Sequence, residues 1–170
     1  MMIHKAVSLA SLAWSFGVIA LVLPRLPLVA PPSEPIALPA ASPGDMAVLI
    51  QRHAQRFSSA GVGYAGLTPN EVMAWRVIFF RTGGESTFVR LLDDATPAGQ
   101  LYALAGLRFA FANEELFAKA AARLARRTDR VQVIRGCIGF EASVAELVAE
   151  IRKGEWVRDY LRGTDWRRRS

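Results

Sequence analysis

The chain has 170 residues, enough for one domain with an appendage, and its 52% hydrophobic content lies above the roughly 45–50% usual for soluble domains. Lysine and arginine number 21 against 15 acidic residues, a net charge of +6 that favours anionic partners (nucleic acid, phospholipid headgroups, acidic cell-wall polymers) and equally serves solubility. A single cysteine, Cys137, excludes an intramolecular disulfide, and two histidines, His4 and His53, exclude a His/Cys zinc cluster, so neither metal nor cofactor is expected.

Met1 to Lys5 is a short basic lead, and Ala6 to Leu23 carries no charge over 18 residues. That length stands between a cleaved signal and a spanning helix. The candidate cleavage sites at Ala30 and Ala40 have Leu28 and Leu38 where a small residue is wanted, so residues 1–23 are expected to stay as an anchor with the amino terminus cytoplasmic. Release to the outside after cleavage is the alternative. Seven prolines between Pro24 and Pro43 exclude a helix there, and residues 24–44 are expected to form an extended spacer.

Residues 45–170 read as helices. Asp45 to about Phe57 carries Met46, Leu49, Ile50 and Phe57, and Gly61, Gly63 and Gly66 end it. Thr68-Pro69-Asn70-Glu71 has the residues of a capping box and opens an apolar helix to about Arg81, stopped by Gly83-Gly84. A short helix follows over Ser86 to Ala95. Thr96 to Asn113 is the most apolar stretch of this part, apolar on most of its circumference, and is expected to be the buried centre. Glu114 to Arg127 begins with acids and ends with arginines, matching a helix dipole. Thr128 to Phe140 fits either a strand or a helix. Ser143 and Glu146 make a second capping box, and Trp156 to Leu161 suits a last short helix before the basic tail Arg167-Arg168-Arg169.

Thr68-Pro69 and Thr96-Pro97 open apolar helices 28 residues apart, each followed by a shorter helix with Glu and Phe three apart (Glu85 and Phe88, Glu114 and Phe117). The stretch from Thr68 to Arg127 resembles HEAT-like helical repeats, and the resemblance implies a binding scaffold of stacked antiparallel helix pairs. Glu85-Ser86-Thr87-Phe88 is similar to the Glu-Ser-x-Phe signature of lytic transglycosylases. That resemblance implies a peptidoglycan-cleaving enzyme with Glu85 as general acid and base; an acid in a first helical turn explains the same residue by the helix dipole alone.

Other candidates have simpler readings. Asp93 and Asp94 diverge on a helix and suit a solvated end. Cys137 reads as a buried thiol and His53 as a surface residue. Gly61-x-Gly63-x-x-Gly66 has dinucleotide spacing without a strand before it, so it reads as a turn. Arg123, Arg126, Arg127, Arg130 and Arg135 form the densest positive region and suit contact with anionic lipid or cell-wall polymer rather than nucleic acid. The sequence thus predicts an all-α domain of short antiparallel helical hairpins, HEAT-like in one form, behind a membrane anchor and outside the cytoplasm. Its expected role is a scaffold that binds a protein partner without catalysis. The alternatives are the Glu85 enzyme and a basic domain docked on an anionic surface.

Overall fold

The structure is a computed structural model that describes residues 41–110 and 113–161, all within the compact unit Pro39–Ser170. Its elements are α1 (Pro43–Arg52), β1 (Arg56–Val62), α2 (Asn70–Phe80), α3 (Gly84–Asp94), α4 (Pro97–Ala110), α5 (Glu114–Leu124), β2 (Arg130–Gly136), β3 (Ile138–Ser143), α6 (Val144–Lys153) and α7 (Glu155–Tyr160). The all-α expectation is therefore corrected. A three-stranded sheet runs in the order β1-β2-β3, with β1 parallel to β2 and β2 antiparallel to β3. The expected anchor and most of the spacer lie outside the described residues, as does the arginine tail. Among the described residues no helix is long and apolar enough to cross a membrane.

Helix α4 is the hub. Leu101 to Ala105 are fully buried, and the helix touches all six other helices as well as β1 and β2. Stacked repeats would leave each hairpin touching only its neighbours, so the 28-residue repetition does not build a HEAT-like solenoid. Gly99 permits the closest approach: a Cβ there would collide with the Gln51 carbonyl oxygen of α1. Thr96 caps the start of α4 by accepting from the Gly99 N–H at 3.2 Å. Asn113 caps α5 through the Leu116 N–H at 3.0 Å.

The two capping boxes part ways. At α6 the box is complete, with the Glu146 N–H donating to Ser143 Oγ and the Ser143 N–H to the Glu146 carboxylate. At α2 it is absent: Leu67 is tied back to Val62 by a pair of backbone hydrogen bonds, and the helix opens only at Asn70 with Pro69 in the cap position. The Glu71 carboxylate turns instead to Arg56, 3.2 Å away. The first helix also ends sooner than expected. Phe57 belongs to β1, where its ring lies 4.8 Å from Tyr102 and 4.4 Å from Trp156.

β2 and β3 form a hairpin closed by Gly136-Cys137, with Arg135 opposite Ile138. Gly136 has φ +61 at the first loop position, as the II′ class requires, and Cys137 is exposed in the turn rather than buried. Pleating gives the sheet two unlike faces. Phe57, Val131, Val133 and Ala142 are buried on the side toward the helices, whereas Arg56, Gln132 and Glu141 are exposed on the other.

The outer edge of β1 is sealed by side chains. Tyr102 OH accepts from the Ser58 N–H and Tyr160 OH donates to the Ser58 carbonyl, both at 2.9 Å, and the Asp159 carboxylate accepts from the Ala60 N–H at 2.5 Å. An edge strand with its polar groups satisfied in this way offers no template for another strand. Burial raises the pKa of both tyrosines above the usual phenol value and keeps the hydroxyls protonated.

Candidate binding groove

The uncovered face of β1 and β2 forms the floor of an open groove of about 980 Å³, bounded by the end of α1 and by the turn that joins β1 to α2. Strand parity decides what reaches it. Phe57 points to the helices, so Arg56 and Ser58 face the other way, and their parallel partners Gln132 and Ile134 continue that face on β2. The rim comes from His53, which caps the end of α1, and from Thr68, Pro69 and Asn70 at the start of α2.

The groove is polar without net charge in its one ion pair. Arg56 and Glu71 neutralise each other, and the Glu71 backbone carbonyl accepts from Gln51 Nε2 at 2.5 Å, which fixes α2 against α1. Gln132 Nε2 reaches the Glu141 carboxylate on β3 at 3.4 Å. Ser58 is the unusual member. It is fully buried, its backbone N–H and carbonyl are both used at the sealed edge, yet its hydroxyl has no partner among the described residues. A buried hydroxyl without a partner is costly and favours a group that would complete it. The opposite character appears at the turn, where Tyr64 is fully exposed and Leu67 is 70% exposed.

Of the three glycines, Gly61 lies within β1 and Gly63 and Gly66 in this turn. A strand is therefore present, contrary to the reading from sequence, but Gly63 and Gly66 (φ +68 and +60) reverse the chain so that Leu67 bridges back to Val62. A dinucleotide cradle needs the helix to open at the glycines, and α2 opens only at Asn70.

The other sequence candidates are dispersed. Glu85 sits in the first turn of α3, half-buried, and does not line this groove. The adjacent carboxylates separate, Asp93 to Arg123 at 2.7 Å and Asp94 to Arg52 at 2.6 Å. The five arginines do not form one patch. Arg130 and Arg135 point to opposite faces of β2, and Arg130 pairs with Glu141. Arg127 pairs with Asp129, and Arg135 pairs with Glu150 while stacking over Trp156 at 4.6 Å. Arg126 is exposed beyond the end of α5. Among the described residues no group of three or more His, Cys, Asp or Glu side chains could hold a metal ion.

Ser58, Gln132, Asn70 and Arg56 were not singled out from sequence. The signal for Gln132 was the alternation Arg130-Val131-Gln132-Val133, a period of two that sends Gln132 and the valines to opposite faces. Comparison with family models, curated proteins and solved structures gives no match.

Proposed function

We propose that the chain is a non-catalytic interaction module that receives an extended, uncharged polypeptide segment of a protein partner in the groove on β1 and β2. The observation that carries this reading is the fully buried, unpartnered Ser58 hydroxyl beneath a wall of amide and hydroxyl side chains. Amides and hydroxyls each offer a donor and an acceptor, as successive peptide groups require. The internal neutralisation of Arg56 by Glu71 leaves nothing to attract a charged segment. Ile134 and Val62 give apolar ground for its side chains, and exposed Leu67 supplies an anchor at the rim. The apolar run Ala6–Leu23 and the prolines after it support a domain tethered at a membrane and displayed on its outer side.

Four of the five arginines of the basic region already face carboxylates, which weighs against docking on an anionic surface. The position of Glu85 outside the groove weighs against the enzyme reading.

The test pans a phage-displayed random peptide library against the full chain in detergent micelles and measures the recovered peptides on two variants. Enriched peptides poor in charge, binding at least about tenfold more weakly to Ile134→Asp and normally to Glu85→Gln, support the groove. Peptides that bind Ile134→Asp as well as the wild type would remove it. Release of peptidoglycan fragments by the wild type but not by Glu85→Gln would replace the reading with the enzymatic one.

A further inference from the structure

A second concavity lies between α1 and α3. Positions 45, 48, 49 and 52 recur at helical spacing on α1, and positions 87, 91 and 94 on α3, so two helix stripes face each other across a cleft of about 320 Å³. Val48, Leu49 and Leu91 make its walls apolar, and Arg52, Arg81 and Arg90 reach it from three elements.

The charges there are incompletely matched. Asp94 is engaged by Arg52 at 2.6 Å, and Asp45 accepts from the Ser42 hydroxyl at 2.8 Å. Arg81 and Arg90 have no carboxylate partner among the described residues. The Nε of Arg52 is buried and equally unpartnered. Arg81 lies over the first turn of α1, where a Cβ on Gly44 would come within 2.6 Å of its Nη1. That turn is the positive end of the helix dipole and carries one acid, Asp45, against the three arginines of the cleft. An anion there would relieve the remaining positive charge.

We propose that this cleft binds a phosphate-type anion. Three guanidiniums face two carboxylates there, an excess of one positive charge, and guanidiniums drawn from three elements suit a tetrahedral oxyanion better than the two coplanar oxygens of a carboxylate. The apolar walls suit a phosphate monoester carried on an organic group. The same chemistry is presented by a soluble phosphate ester and by a phospholipid headgroup.

The test uses the full chain in detergent micelles and follows the arginine Nε–Hε resonances during titration with inorganic phosphate, against chloride at equal ionic strength. The expected result is saturable shifts at Arg52, Arg81 and Arg90, with Arg126 unmoved. Affinity is expected to fall at least about tenfold in Arg81→Gln/Arg90→Gln. Gly44→Ala, which displaces the Arg81 guanidinium while leaving every charge in place, is expected to weaken it as well. Shifts that never saturate, or an unchanged titration in the double variant, overturn the site and leave only diffuse charge. Parallel titrations with glycerol 3-phosphate and with phosphatidic acid doped into the micelles, against phosphatidylcholine, tell the soluble ester from the headgroup.

Discussion

The two faces of one short sheet make the most instructive contrast in this protein. Phe57 and Ser58 are neighbours in β1 and both are fully buried, yet they are buried for opposite ends. Phe57 lies in an aromatic cluster with Tyr102, Trp156 and Tyr160, where its whole ring is in contact. Ser58 has its backbone locked by two tyrosine hydroxyls and its own hydroxyl left without a partner under an open groove. The covered face thus holds the fold together, and the uncovered face keeps unspent hydrogen-bonding capacity. On the proposed reading, stability and recognition are separated by a single step along the strand.

The largest test of that separation is Phe57→Ala. Removing a fully buried ring should cost about 3–5 kcal/mol, read by denaturant unfolding of the full chain. A loss below about 1 kcal/mol would mean that the aromatic cluster is not what holds β1.

Next comes the sealed edge. Tyr102→Phe leaves the ring in place but strips the Ser58 N–H of its acceptor, and a loss of about 1–3 kcal/mol is expected for a buried donor left unsatisfied. The same pair of tyrosines sets a pH dependence. Burial raises their pKa in the folded chain above the ordinary value of about 10, so above that pH the unfolded chain has released protons that the folded chain retains. The contribution is complete below pH of about 10 and is lost as pH rises beyond it. Unfolding measured across that range should show stability falling with pH, less steeply in Tyr102→Phe; equal slopes would remove the tyrosines as its source.

The smallest effect is the sharpest comparison. Ser58→Ala removes an unpartnered hydroxyl and should change stability by less than about 1 kcal/mol, with stabilisation the expected sign, while weakening the peptides selected on the wild type. A loss comparable to that of Phe57→Ala would show that the hydroxyl is structural and would close the groove as a recognition site.

Legibility followed the range of the interactions. The α4 core stretch was readable because an unbroken apolar circumference has no exposed solution, and the Ser143-Glu146 box was readable because its partners are three residues apart. β1 was not. Arg56-Phe57-Ser58-Ser59-Ala60-Gly61-Val62 contains few residues that favour strands, and it is extended because β2, more than seventy residues later, supplies its ladder. The Thr68 box failed for a related reason: the bridge from Leu67 to Val62 held the chain back until Asn70. A sign for the β2–β3 hairpin was present in Gly136-Cys137 between alternating residues, and it was outweighed by a pattern that also fits a helix.

The sequence by itself determined the charge balance, the single cysteine, the buried character of α4 and the local caps at Thr96, Asn113 and Ser143, because each depends on composition or on residues within one helical turn. Only the tertiary structure decided that β1 is a strand, that Cys137 is exposed, that four arginines of the basic region are neutralised and that Ser58 lies under the groove. Those outcomes depend on which distant segments meet, and the free energy of meeting comes from a shared core that no local window contains.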